Sequence, residues 1–138
     1  MQHLIKALGI TTVLLASSAY AETVSFPKNA ALTYSGNGGV TATMAYGRSA
    51  SNYNINTTFK IPLYSMQFRS SGSMSGNTMI PNSYSDTRRG KLYAQAKFNH
   101  GSKTITYGKA GESKSAPMRG VPMDLFSLAW QLALNNGK

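Results

Sequence analysis

The chain has 138 residues, no cysteine, and 14 Lys and Arg against four Asp and Glu, which gives a formal net charge of +10. This length suits a single domain. The absence of cysteine excludes both a disulfide framework and the lipidated cysteine that a lipoprotein signal must present. Composition therefore leaves an unbridged basic domain, and we expect no specific function to follow from it directly.

The first 21 residues have the form of a cleavable signal peptide. Met1 to Lys6 carries a single positive charge, residues 7–18 are mainly apolar, and Ala19-Tyr20-Ala21 has the small-x-small pattern that signal peptidase accepts. The alternative is a membrane anchor, but the apolar run is shorter than the roughly 20 residues that span a bilayer. We predict cleavage after Ala21, leaving residues 22–138 as the mature domain.

Export without cysteine indicates a periplasmic protein of a Gram-negative bacterium. Removal of Lys6 leaves a mature chain that is still strongly basic, and no later stretch is apolar enough to cross a membrane. Nucleic acid is absent from the periplasm, so we exclude it as a partner. Anionic lipid headgroups, lipopolysaccharide or another polyanion of the envelope are the partners that the charge favours.

Alternating apolar and polar residues predict a sheet over most of the mature chain. The connections between the runs are too short for parallel crossovers, which favours an antiparallel meander. We expect a long polar loop at residues 72–89 and a basic linker at residues 109–119. The predicted strands are residues 32–35, 40–47, 52–61, 64–69, 92–98 and 104–107. Among the positions expected to face inward are Tyr53, Ile55, Thr57, Phe59, Ile61, Ala94, Ala96 and Tyr107, whereas Asn52, Asn54 and Tyr93 are expected to face outward.

Residues 123–135 predict one C-terminal helix, with Pro122 before it and Asp124 in its first turn. Its polar residues before the last turn are Asp124, Ser127 and Gln131, which form one narrow stripe. Since the rest of the helix is apolar, the sheet must curve around it. The predicted fold is therefore mainly β, a curved antiparallel meander or half-barrel wrapped around one C-terminal α-helix.

Aromatic and methionine side chains on the inward face of this sheet suggest a binding cavity against the helix. Tyrosine hydroxyls and pliable methionines are suited to lining a site for a lipidic or amphipathic ligand. The alternative is a plain hydrophobic core with tyrosines at its rim. The candidate ligand-lining residues are Tyr46, Tyr53, Phe59, Tyr64, Met66, Phe68 and Trp130.

Basic residues at outward positions predict a positively charged belt. Such a belt would dock the protein on an anionic envelope surface or a partner protein; alternatively, it is a solvated face that keeps sheet edges from aggregating. The candidate contact residues are Lys60, Arg69, Lys97 and Lys103 at outward positions, with Arg88, Arg89 and Lys91 at the rim of the long loop.

No motif of the mature chain predicts catalysis, a metal site or a cofactor. His100 lies in a tight turn without a second ligand, and the four acids are dispersed. Residues 25–28 match the Ser-x-x-Lys pattern, but Pro27 lies between the two residues and no helix is expected there. We therefore predict a protein that is not an enzyme and has no cofactor.

Three stretches of the chain resemble an exported bacterial family known as domain of unknown function 3108. They are Leu32-Thr-Tyr34, the segment from Phe68 to Tyr84 containing Met79-Ile-Pro81-Asn-Ser-Tyr84, and Pro122-Met-Asp-Leu-Phe-Ser127 opening the helix. The resemblance implies a periplasmic protein with a curved sheet around a helix, similar in outline to lipoprotein carriers, with no catalytic residues to transfer. Members of the family continue with further strands, so we expect either a short version of the fold or one with a side of the barrel missing.

Overall fold

The computed structural model describes residues 26–137. The predicted signal peptide and its cleavage site after Ala21 lie outside these residues. Within residues 26–137, no helix is long and apolar enough to cross a membrane.

Within residues 26–137, eight antiparallel strands form one open sheet whose spatial order follows the chain from β1 to β8. One α-helix, α1 (Leu125–Leu134), follows the last strand, and a short 3₁₀ turn (Asn37–Gly39) joins the first two. This confirms the predicted curved antiparallel half-barrel around one C-terminal helix. The strands are β1 (Asn29–Ser35), β2 (Thr41–Arg48), β3 (Asn52–Ile61), β4 (Tyr64–Ser75), β5 (Thr78–Arg88), β6 (Lys91–Asn99), β7 (Thr104–Lys109) and β8 (Lys114–Pro117).

The period of two in the sequence sets the two faces of the sheet. In β3, Tyr53, Ile55 and Thr57 are buried on the concave side, whereas Asn52 and Asn54 are exposed. Partners directly opposite each other in an antiparallel sheet share a face, so the register carries this assignment from strand to strand. The inward and outward positions predicted for β3 are confirmed.

The long loop predicted at residues 72–89 is wrong, because β4 and β5 form a long hairpin there with its turn at Gly76-Asn77. Small polar residues suggested a loop, but they are small because the hairpin is closely packed. A Cβ at Gly72 would lie 2.1 Å from the carbonyl oxygen of Ile80. The register shifts between Ser71 and Gly72, opposite Pro81, and such a bulge accommodates a proline within a strand.

The linker predicted at residues 109–119 is also partly wrong, since β8 lies within it and pairs with β7. The helix begins two residues later than predicted, and Asp124 is its N-cap rather than part of its first turn. The Asp124 carboxylate accepts hydrogen bonds from the backbone N–H groups of Phe126 and Ser127, each at 3.0 Å. These bonds satisfy two of the donors that a helix start leaves free.

The helix packs on the concave face over β2 to β5. The Trp130 indole stacks on the Tyr46 ring with the centroids 4.1 Å apart, and the Phe126 ring lies 5.3 Å from that of Phe68. Half of the buried side chains in the resulting core are aromatic. Its buried members are Tyr46, Tyr53, Ile55, Met74, Met79, Phe126, Trp130 and Leu134.

The polar stripe of the helix faces the sheet. Ser127 and Gln131 are buried, whereas Leu125, Leu128 and Leu132 are 74%, 45% and 45% exposed. The side-chain amide of Gln131 accepts from the Met79 N–H at 2.6 Å and donates to the Asn77 carbonyl at 2.9 Å. The sheet thus covers one side of the helix and holds it partly through hydrogen bonds.

Candidate functional site

Most of the predicted ligand-lining residues belong to the core under the helix. Tyr46, Tyr53 and Trp130 are buried, and Phe59 and Phe68 pack against them. Tyr64 and Met66 are half-buried at the start of β4. The structure brings most of this set together as packed side chains. Whether any of them contacts a ligand remains a prediction.

A polar chain inside the core fixes the position of the helix. Ser70 Oγ donates to Asp124 Oδ2 at 2.6 Å, and the Tyr53 hydroxyl lies 3.3 Å from Ser70 Oγ. Because the Ser70 hydroxyl donates its one hydrogen to the carboxylate, the Tyr53 hydroxyl must be the donor in its hydrogen bond with Ser70. Burial raises the pKa of Tyr53 to about 12, with a further rise from the charge of Asp124, although the hydrogen bond with Ser70 opposes it. The phenol therefore stays protonated as a donor.

An open trough lies on the part of the concave face beyond the helix, over β5 to β8. Ala96 of β6 pairs with Tyr84 of β5 on one side and Tyr107 of β7 on the other, so all three share the face to which Ser70 belongs. The volume of the trough is about 430 Å³. It is lined by Tyr84, Tyr93, Ala94, Gln95, Ala96, Tyr107, Gly108, Lys109, Glu112 and Lys114.

The trough combines apolar and tyrosine surface with charges at its edge. Lys109, Glu112 and Lys114 are exposed there, which leaves one net positive charge. At the side nearest β5, the Arg88 guanidinium lies 3.5 Å from the centroid of the Tyr93 ring and pairs with the buried carboxylate of Asp86 at 2.9 Å. Asp86 is thereby neutralised locally, and Tyr93 is held in place.

Tyr84 lies between the core and the trough. Burial raises its pKa above the ordinary tyrosine value, and the charges of Asp86 and Asp124 raise it further, whereas Arg88 lowers it. A protonated phenol at this position can donate a hydrogen bond to an anion or accept one from a hydroxyl. The trough can therefore offer the Tyr84 hydroxyl as a polar group beside its alanine and tyrosine surface.

Sequence reasoning found only part of this lining. Ala94, Ala96 and Tyr107 were predicted to face inward, and they do. Tyr84, Lys109 and Lys114 were missed because their segments were interpreted as loop and linker. Tyr93 was predicted to face outward, which is wrong; the register shift between β5 and β6 after Asp86 places it in the trough wall. A bulge of this kind has no clear sequence signal.

The predicted basic belt does not form one face. Lys60, Arg69 and Lys97 lie on the convex face, but Arg88 is turned towards the trough by its ion pair with Asp86. Arg89 in the β5–β6 turn and Lys91 at the start of β6 lie at one end of the sheet, whereas Lys103 in the β6–β7 turn lies at the other. The rim of the long loop, where Arg88, Arg89 and Lys91 were expected, does not exist.

Residues 26–137 contain no group of three or more His, Cys, Asp or Glu side chains that could hold a metal ion. The His100 ring donates from Nε2 to the Pro81 carbonyl at 2.6 Å, which ties the β6–β7 turn to β5. Asp86 and Asp124 are both engaged in structural contacts.

No protein-family model, curated protein or solved structure matches the chain significantly. The resemblance to domain of unknown function 3108 therefore stays a prediction.

Proposed function

We propose that this chain is a non-enzymatic periplasmic protein that binds an amphipathic anion, such as a fatty acid or an acyl phospholipid, in the trough over β5 to β8. The observation that carries the proposal is the uncovered concave surface, where Tyr84, Ala96 and Tyr107 form a continuous row across three strands. The compartment in this proposal rests on the predicted signal peptide.

The size and chemistry of the trough suit such a ligand. A volume of about 430 Å³ lies within the range of small-molecule sites, about 300–1,000 Å³. An acyl chain would cover the alanine and tyrosine surface, which stabilises by about 25 cal/mol for each Å² of apolar area removed from water. The ammonium groups of Lys109 and Lys114 lie at the edge, where a carboxylate or phosphate would remain partly hydrated.

This site differs from the one expected under the helix. The predicted lining residues Tyr46, Tyr53 and Trp130 are buried in the core, where their surfaces contact other side chains. We therefore place the ligand beside the helix rather than between helix and sheet. The lipidic or amphipathic ligand expected from the sequence is thereby narrowed to an anion.

The test is binding of oleate, followed by native mass spectrometry and by displacement of a fluorescent fatty acid. Ala96→Trp would fill the floor of the trough, and we expect it to weaken oleate binding at least tenfold. The matched control is Ala45→Trp, because Ala45 is an exposed alanine on the convex face of β2. Equal affinity in the two variants would exclude the trough as the site.

Charge selectivity provides a second test. Replacing Lys109 and Lys114 with glutamine should weaken binding of oleate but leave binding of oleyl alcohol unchanged. Lys97→Gln, on the convex face, is the control for the loss of a positive charge. A protein that bound alcohol and carboxylate equally well before substitution would contradict the anion preference.

A second candidate is docking on an anionic envelope surface or a partner protein. It is favoured by unneutralised charge, since the only ion pair recorded within residues 26–137 is that between Arg88 and Asp86. The cations of the convex face are separated from one another along the sheet, so this face alone supports the candidate weakly.

A further inference from the structure

Of the four strand connections that residues 26–137 place at one end of the sheet, three lie next to one another. The Pro62-Leu63 turn joins β3 to β4, and the Arg89-Gly90 turn joins β5 to β6. The Arg89 N–H donates to the Ser65 carbonyl at 2.9 Å, which holds these two turns side by side. The 3₁₀ turn lies against them, because a Cβ at Gly39 would be 3.5 Å from Pro62 Cγ.

The tip of this end carries an apolar side chain, Leu63, that does not contribute to the stability of the fold. Leu63 is 98% exposed and has a φ of 65°, a left-handed conformation that glycine or asparagine adopts more easily. A residue held there is strained, and its side chain gains nothing from packing. Ile61, at 41% exposure, and Val40, at 37%, extend the apolar surface beside it. Glycine at position 63 would fold at least as well.

Three cations lie at the same end of the sheet as this tip. Lys60, Arg89 and Lys91 are exposed, and none of them has an ion pair within residues 26–137. The Arg89 guanidinium lies 5.0 Å from the centroid of the Tyr64 ring, which keeps the cation and the aromatic ring together at the edge of the tip. We call these six residues the hairpin end: Lys60, Ile61, Leu63, Tyr64, Arg89 and Lys91.

We propose that the hairpin end docks on an anionic lipid bilayer, with Leu63 inserted at the level of the headgroups. An exposed leucine gains free energy from leaving water for the acyl boundary, and the three cations are attracted to anionic headgroups. Tyrosine is favoured at this depth because its ring is apolar and its hydroxyl is polar. A protein partner would accept the leucine in a pocket, but its binding would not require Lys60, Arg89 and Lys91 at the same end of the sheet. The proposal stands whether or not the trough holds a ligand.

The experiment is co-sedimentation with vesicles of phosphatidylcholine containing one third phosphatidylglycerol. The chain is exported from a bacterial host and its N-terminus is checked by mass spectrometry, because a retained apolar segment would bind vesicles by itself. Leu63→Asn should weaken binding about tenfold, the lower limit for removing a leucine from an apolar environment. Its urea midpoint should be unchanged or higher, because asparagine tolerates positive φ, so the loss of binding is not a loss of fold.

Charge variants separate docking at this end from general attraction to a basic protein. Lys60→Gln and Lys91→Gln should each weaken binding about fivefold, as expected for a cation close to an anionic surface. Lys103→Gln is the matched control, because Lys103 is exposed in the turn between β6 and β7 at the opposite end of the sheet. An equal effect of Lys103→Gln, or no binding by the unsubstituted chain, would overturn the proposal.

A cysteine scan locates the contact directly, since the chain has no cysteine of its own. An environment-sensitive dye on Leu63→Cys should shift to the blue with vesicles, whereas the same dye on Ala50→Cys, in the turn between β2 and β3, should not. A shift at Ala50→Cys alone would place the wrong end on the membrane. A shift at Leu63→Cys caused by a protein fraction of the envelope, and absent with lipid vesicles, would replace the bilayer with a protein partner.

Discussion

Asp124 is the residue whose removal most directly tests how the helix is held. It accepts two backbone N–H groups as the N-cap, and its second oxygen accepts from Ser70 of β4. Ser127 Oγ lies 3.0 Å from that same oxygen. One carboxylate therefore joins the helix start to the middle of the sheet.

The expected loss of stability in Asp124→Ala follows from these contacts. Removal of an N-cap costs about 1 kcal/mol, and a hydrogen bond to a charged group contributes about 1.5 kcal/mol at the lower end of its range, which suits a partly buried site. We expect the free energy of unfolding to fall by about 2.5 kcal/mol. Asp124→Asn keeps the cap oxygen and should lose about 1 kcal/mol.

Urea unfolding followed by the fluorescence of Trp130 is the appropriate assay. The chain has a single tryptophan, and it stacks on Tyr46, so its emission reports whether the helix is docked. With an m-value of about 1.5 kcal/mol/M, the midpoint of Asp124→Ala should fall by about 1.7 M. The matched control is Glu112→Ala, an exposed acid, which should change stability by less than about 0.5 kcal/mol.

A double-mutant cycle isolates the bond across the interface. Ser70→Ala and Asp124→Ala should be non-additive by about 1 kcal/mol, because either substitution alone removes the same hydrogen bond. Strict additivity, or a loss below about 0.5 kcal/mol in Asp124→Ala, would refute the view that this carboxylate anchors the helix. The apolar contacts of Phe126 and Trp130 would then be sufficient on their own.

Two further predictions concern packing and pH. Gly72→Ala should lower the free energy of unfolding by about 3 kcal/mol in urea titrations, because a Cβ would lie 2.1 Å from the Ile80 carbonyl oxygen. The control is Gly76→Ala, at a turn position that has a positive φ but open space around it. A larger loss of stability in Gly76→Ala than in Gly72→Ala would contradict the packing argument. The Tyr53 phenol ionises near pH 10 when unfolded and near pH 12 when folded, so the unfolded state loses its proton first and stability should fall as the pH rises from 10 to 12, by at most about 1.4 kcal/mol per unit. Tyr53→Phe should flatten that part of the curve, and an unchanged slope would show that Tyr53 is not its source.

Strands in which apolar and polar residues alternate regularly could be predicted from the sequence. Strands whose side chains pack most closely against the helix and the neighbouring strand could not. β3 shows five aromatic or β-branched residues on one face, which is the pattern of a half-buried strand. In the second half of β4 the inward positions are Ser70, Gly72 and Met74. Ser70 is small and polar, and Gly72 has no side chain. These residues are small because the helix and Pro81 pack closely against them. Such contacts between distant segments cannot be read from the local alternation of apolar and polar residues.

The orientation of the helix could not be predicted from its composition for a related reason. A narrow polar stripe on an apolar helix ordinarily faces water. Here the stripe meets specific partners, since Gln131 pairs with the backbone of the β4–β5 turn and Asp124 with Ser70. Ser70 lies just beyond the end of the predicted strand, and Asn77 and Met79, the partners of Gln131, lie in the segment interpreted as a loop, so no partner for the stripe could be predicted from the sequence. The same segment also contains Tyr84, and its loss from the predicted sheet removed the trough from view.

The polar anchoring of the helix also determines which part of the sheet stays open. Apolar contacts alone would allow the helix to slide along the concave face, because Leu125, Leu128 and Leu132 could replace the side chains now buried. Hydrogen bonds are directional and costly to leave unmade when buried, so Asp124 and Gln131 confine the helix to β2 through β5. The open trough over β5 to β8 therefore depends on these two side chains. If the anchor is broken, oleate affinity should change even though neither residue lines the trough.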